Sequence, residues 1–173
     1  TNFIVSGNAQ ILGGKWTHQP NATVQSNRLC VAVGGDFTLG SGATVALLGK
    51  GFQYGKYNTG SAIATHAASP YGNHSQIYGN VYEPTELGSG GDSSSSARSY
   101  GGGAVYLVVA GSAVVDGTID VRSSSQKWTG AINPEKGCGA GGSVYLSATS
   151  ISGADPLNAS PHHVAATSST STA

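Results

Sequence analysis

Two carboxylates on one strand face can divide acid and base work between them, so the acids come first. The 173-residue chain holds eight: Asp36, Glu83, Glu86, Asp92, Asp116, Asp120, Glu135 and Asp155. Asp116 and Asp120 are the close pair flanking a strand, the placement that a β-rich polysaccharide lyase or hydrolase would use. Asp116, however, precedes Gly117, where a carboxylate serves as a turn residue bonding backbone. Asp120 alternates with Ile119 and Val121 and so points away from a core. An acidic polysaccharide also needs cationic partners, and Lys and Arg together number only eight. The expectation is a chain that is not an enzyme.

The remaining reactive residues point the same way. His18, His66, His74, His162 and His163 lack metal-ligand spacing, and no Asp-rich calcium loop occurs, so neither metal nor cofactor is expected. No Ser sits in a Gly-x-Ser-x-Gly elbow. Gly88-Ser-Gly-Gly91 and Gly139-Ala-Gly-Gly142 lack the Lys and the following helix of a phosphate cradle. These glycines serve turns or places where two backbones come close. Cys30 and Cys138 fit either one disulfide of an oxidising compartment or two small buried thiols. Asn21, Asn73 and Asn158 each open an Asn-x-Ser/Thr glycosylation sequence.

Aromatic residues are the best functional candidates. Trp16, Trp128 and the tyrosines Tyr54, Tyr57, Tyr71, Tyr78 and Tyr82 could join subunits, stack on sugar rings, or cover their own subunit.

The elements that must position these groups are short strands. Val31-Ala-Val-Gly-Gly-Asp-Phe-Thr-Leu39 aligns with Leu107-Val-Val-Ala-Gly-Ser-Ala-Val-Val115, and Leu146-Ser-Ala-Thr-Ser-Ile151 is a third copy. Gly42-Ala-Thr-Val45-Ala-Leu47 matches Gly117-Thr-Ile119-Asp-Val121, and Ile4-Val5-Ser-Gly-Asn-Ala-Gln-Ile11-Leu12 is a fainter copy. Such repetition predicts an all-β, parallel β-helix or solenoid-like domain over 1–173. Residues 49–103, rich in Gly, Ser and Tyr, read as a long insertion ending in a flexible Gly/Ser run. Residues 122–142 read as a shorter insertion, and 165–173 as a Ser/Thr-rich tail.

Composition excludes other classes. The 27 glycines lie between branched apolar residues, as turn material does between strands. Net charge is zero, with no basic stripe for phosphates, so no nucleic-acid partner is expected. No apolar run reaches bilayer length, so no membrane span is expected. The chain has no Met, which fits either a trimmed sequence or a mature chain cut from an export leader.

The ordered series Trp16-Thr-His18, Val31 to Leu39, Gly49-Lys-Gly51, Tyr82-Glu-Pro-Thr-Glu-Leu-Gly-Ser-Gly-Gly91, Gly101-Gly-Gly-Ala-Val-Tyr-Leu107 and Gly139-Ala-Gly-Gly-Ser-Val-Tyr-Leu146 resembles a known family. It is similar to the glycine-rich repeat modules of very large secreted or surface proteins of environmental bacteria. The resemblance covers about residues 8–155. It implies a parallel β-helix-like fold and an extracellular or cell-surface location, and it transfers no catalytic residue.

The functional expectation is a structural extracellular protein that self-associates into a filament, sheath or surface layer. Strands at the ends of a stack carry unpaired N–H and C=O groups that copies of the same chain can satisfy. Phe3, Ile4 and Val5 at one end, and Thr170 and Thr172 at the other, are the candidate joining residues. The alternative is an adhesin or glycan-binding surface module using the Tyr/Trp-rich insertion.

Overall fold

The computed structural model describes residues 2–22, 24–53, 78–91, 99–125, 139–154 and 157–158. Among them there are strands and no helix. In chain order the first four are β1 (Asn2–Val5), β2 (Ala9–Trp16), β3 (Leu29–Val33) and β4 (Phe37–Ala46). Next come β5 (Ser99–Tyr100), β6 (Ala104–Val109), β7 (Ser112–Val115) and β8 (Thr118–Asp120). The last four are β9 (Ser124–Ser125), β10 (Ser143–Ser147), β11 (Ser150–Ser152) and β12 (Leu157–Asn158).

One sheet runs β1-β3-β6-β10, parallel throughout. The second is built around β4, the longest strand. β2 pairs with β4 on one edge, while β7 and β8 pair with successive parts of it on the other. β11 and β12 then extend β7 and β8. One strand can serve two because β4 bends at Gly40-Ser41-Gly42, where Ser41 and Gly42 turn outward and the register against β2 slips by one residue.

The internal repeats are the register of these sheets. Val31 pairs with Leu107, and Leu107 with Leu146; Val45 pairs with Ile119. Alternation does the rest: Leu29, Val31 and Val33 of β3 and Phe37, Leu39, Ala43 and Val45 of β4 all face one core. Val105, Leu107 and Val109 of β6 and Ala113, Val115, Ile119 and Val144 complete it. Each branched or aromatic side chain sealed there contributes about 1.5–3 kcal/mol.

The expected parallel β-helix is corrected here. The strands form two parallel sheets and a separate antiparallel ribbon, β5 with β9, and close into neither a barrel nor a solenoid. The physical reason lies in the stretches expected to be insertions, 49–103 and 122–142. Their described parts interlock with one another and carry a buried cluster of their own. Phe52 and Leu87 form a second buried cluster with Ala104, covered by Tyr78. Around it the glycines interlock. The Gly51 N–H donates to the Gly101 carbonyl at 2.7 Å, Gly88 N–H to Gly102 at 2.8 Å, and Gly102 N–H to Ala140 at 2.9 Å. A Cβ on Gly102 would overlap the Val121 carbonyl, and one on Gly142 the Gly103 carbonyl. The expected flexible start at Gly88–Gly91 is thus buried. These glycines are there for close backbone approach.

Candidate functional site

Both sheets stop at strands whose outer edges no described strand pairs with: β1 and β2 at one end, β10, β11 and β12 at the other. The first end is apolar. Phe3 is 51% exposed and Ile4 81%, and Leu12 of β2 stands 66% exposed. Val5 is half-buried. Lys15 and the positive-φ Gly14 blunt the far half of β2, which leaves β1 and Ala9–Ile11 as the open edge. At the other end Tyr145, Leu146 and Ser147 are half-buried, and Ile151 is exposed.

A polar row marks the corner between the sheets. The Asn8 Oδ1 accepts from the Asp36 N–H at 2.9 Å, and the Asp36 Oδ1 from the Ser112 N–H at 2.8 Å. Ser150 Oγ then donates to Ser112 Oγ at 2.9 Å. Sequence reasoning missed this row, although Gly7-Asn8, Gly35-Asp36 and Gly111-Ser112 carry its signal: a Gly-polar pair at three of its four corners.

A second feature lies on the outer face of the first sheet. Tyr106 and Tyr145, paired across β6 and β10, stack with ring centroids 4.6 Å apart and planes 12° off parallel. The Tyr106 hydroxyl donates to Glu83 Oε1 at 3.0 Å, and this bond to a carboxylate raises the phenol above its usual value of 10.0. Arg28, Asn80, Thr85 and Glu86 complete an open cleft of about 370 Å³ around them. Tyr82 is exposed in the same loop.

Several candidates have roles inside their own subunit. Tyr78 packs edge-on against Phe52 and donates to the Leu87 carbonyl at 2.6 Å, and Trp16 packs half-buried on the core. Asn21 is buried. Its Nδ2 donates to the Asn27 and Lys50 carbonyls, and its Oδ1 accepts from the Ser26 and Asn27 N–H groups. In the folded chain this amide is sealed and fully engaged by the backbone around it. Cys30 is a buried free thiol of β3, and Cys138, the other cysteine, lies outside the described residues. Tyr54, Tyr57, Tyr71, Trp128, Asn73, Thr170 and Thr172 also lie outside them, as does the side chain of Asn158.

Asp116 and Asp120, the candidate acid pair, are engaged separately. Asp116 Oδ1 accepts from the Ala154 N–H at 3.2 Å, on the neighbouring chain segment. Asp120 is held by Arg122 at 2.8 Å, and that bond lowers its carboxyl below the usual range. His18 is buried, with Nδ1 2.7 Å from the Gln19 carbonyl and Nε2 3.4 Å from the Ala104 N–H. Ala104 must donate, so Nε2 is the unprotonated nitrogen and Nδ1 carries the proton. Desolvation lowers the pKa of this ring. Among the described residues no group of three or more His, Cys, Asp or Glu could hold a metal ion, and no helix is long and apolar enough to cross a membrane.

No family model matches the chain, and neither a curated protein nor a solved structure is significantly similar to it.

Proposed function

We propose that the protein is a structural, non-enzymatic component of the extracellular space or cell surface, whose copies self-associate through the open edges of its two sheets. One observation carries the reading: a parallel edge strand, β1, that exposes Phe3 and Ile4 and bears no charge, proline or bulge. Soluble monomers usually protect such an edge with one of those devices. The zero net charge supports it, since little repulsion keeps copies apart. The resemblance to glycine-rich modules of secreted proteins favours the same location.

The test is the state of the purified protein at neutral pH, by sedimentation and electron microscopy. Fibres or sheets are expected, and Ile4→Lys, which changes an exposed side chain, disperses them into folded single subunits. A monodisperse parent protein overturns the reading.

A glycan-binding surface is the second reading, favoured by the cleft of Arg28, Asn80, Glu83 and Tyr106 beside the exposed Tyr82. Carboxylate, amide and guanidinium groups can bracket sugar hydroxyls while an exposed ring stacks on the sugar. Glycan-array binding lost on Glu83→Ala and Tyr82→Ala, with assembly unchanged, is its expected signature.

A further inference from the structure

We infer that a second copy of the chain docks head-to-tail in one fixed register, with its β10 extending the first sheet beyond β1 and its β11 extending the second beyond Ala9–Ile11. The inference rests on the self-association proposed above and specifies which edge meets which.

The argument starts from two rows that cross the molecule. Phe3, Val31, Leu107 and Leu146 pair in sequence across the first sheet. The inner members are sealed, Val31 at 5% and Leu107 at 3% exposure, because each has a neighbour on both sides. Phe3, with a neighbour on one side, is 51% exposed. Ala9, Phe37, Ala113 and Ile151 form the matching row of the second sheet, sealed inside and open at Ile151, 38% exposed. Shifting a copy along the rows sets Leu146 beside Phe3 and Ile151 beside Ala9. In the second contact a large side chain lies beside a small one, continuing the small–large alternation of Ala9, Phe37, Ala113 and Ile151 within the chain.

Backbone direction selects the same partner. Every pairing within the two sheets is parallel, so a translated copy adds its edge in the sense the sheets already use. A twofold contact of β1 with β1 would be antiparallel and would leave both ends of the opposite side open. A heterologous contact between unlike edges repeats without closing and gives an open polymer. The corner row continues too, since Ser150 would lie beside Asn8 of the next copy, where side-chain and backbone groups already bond one repeat to the next.

The test is disulfide trapping between mixed copies, in a Cys30→Ser, Cys138→Ser background. Ile4 and Ser147 lie in one outward row with Ala32 and Val108 between them. Within one copy they are three strand spacings apart, roughly 14 Å, too far to bridge. Copies bearing Ile4→Cys are mixed with copies bearing Ser147→Cys and mildly oxidised. Covalent heterodimers as the dominant cross-linked species, released by reductant, are the expected result. Ile4→Cys homodimers in preference overturn the inference and show a twofold contact. Heterodimers formed better with Tyr145→Cys than with Ser147→Cys overturn the register alone. Fibres with no cross-link in any mixture overturn the docking but leave self-association standing. Monodisperse protein throughout, the result if residues 159–173 of the same chain cover the β10 edge, removes both.

Discussion

Tyr106 and Tyr145 stack face to face at 4.6 Å across two adjacent parallel strands, on the side of the sheet away from the core. An in-register parallel pair brings identical residues together, so repetition in the chain becomes a ladder of like rings in space. Offset-stacked pairs are worth about 0.5–1.5 kcal/mol beyond the area they bury. Tyr145→Ala should therefore lower stability by about 1–2 kcal/mol in urea unfolding. Tyr145→Phe, which keeps the ring, should cost far less. Equal losses for the two variants would show that stacking contributes little.

The Tyr106 phenol provides a pH prediction. Its pKa is raised, chiefly by donating to Glu83, so the folded state holds the proton more tightly than the unfolded chain. Stability from this contact is complete below pH 10 and lost as pH rises through the higher folded value. Absorbance titration of tyrosinate should show one late-ionising group that moves back toward 10 in Glu83→Gln. An unchanged titration in that variant would place the cause elsewhere.

His18 gives the opposite sign. Burial, with Lys50 nearby, lowers its pKa, so the unfolded chain takes up a proton before the folded one. The contribution to stability is full above about 6.5 and declines as pH falls from there toward the folded pKa. Urea midpoints measured from pH 8 to pH 5 should fall for the parent protein and fall less for His18→Gln. Parallel curves would show that His18 is not the titrating group.

Asn21 holds two carbonyls and two N–H groups with one buried side chain. Asn21→Ala strands several of them, and a single buried orphan costs about 1–3 kcal/mol. A loss of at least that size is expected by chemical denaturation. An unchanged denaturation midpoint would contradict the hydrogen bonding described above.

The strands and their register were legible because a repeated chain reuses one apolar pattern. Val31, Leu107 and Leu146 aligned by sequence and lie side by side in the sheet. The outward turn of Asp120 was legible for the same reason, since Ile119 and Val121 on either side of it are buried. One glycine run misled: Gly88–Gly91, expected to open a flexible stretch, is buried, whereas Gly139–Gly142 serve the close backbone approach expected of them. A buried glycine and a flexible one are written alike. Only the third dimension shows which backbones they let meet. Tyr78 was left open by the sequence, because a ring that suits an interface also suits a cover over Phe52, and it takes the second role. Cys30 of β3 illustrates a third limit, since alternation with Leu29 and Val31 puts it on the outer face beside Tyr106, and yet it is buried.

The glycine-lined block has a thermodynamic corollary. A typical core melts by wetting hydrocarbon, which raises heat capacity, whereas newly hydrated amide surface lowers it. Melting the segment where Gly51, Gly88, Gly101 and Gly102 clasp one another exposes mainly amides. Its share of the calorimetric increment is thus smaller than its length suggests, and the stability curve of the protein is correspondingly flatter with temperature.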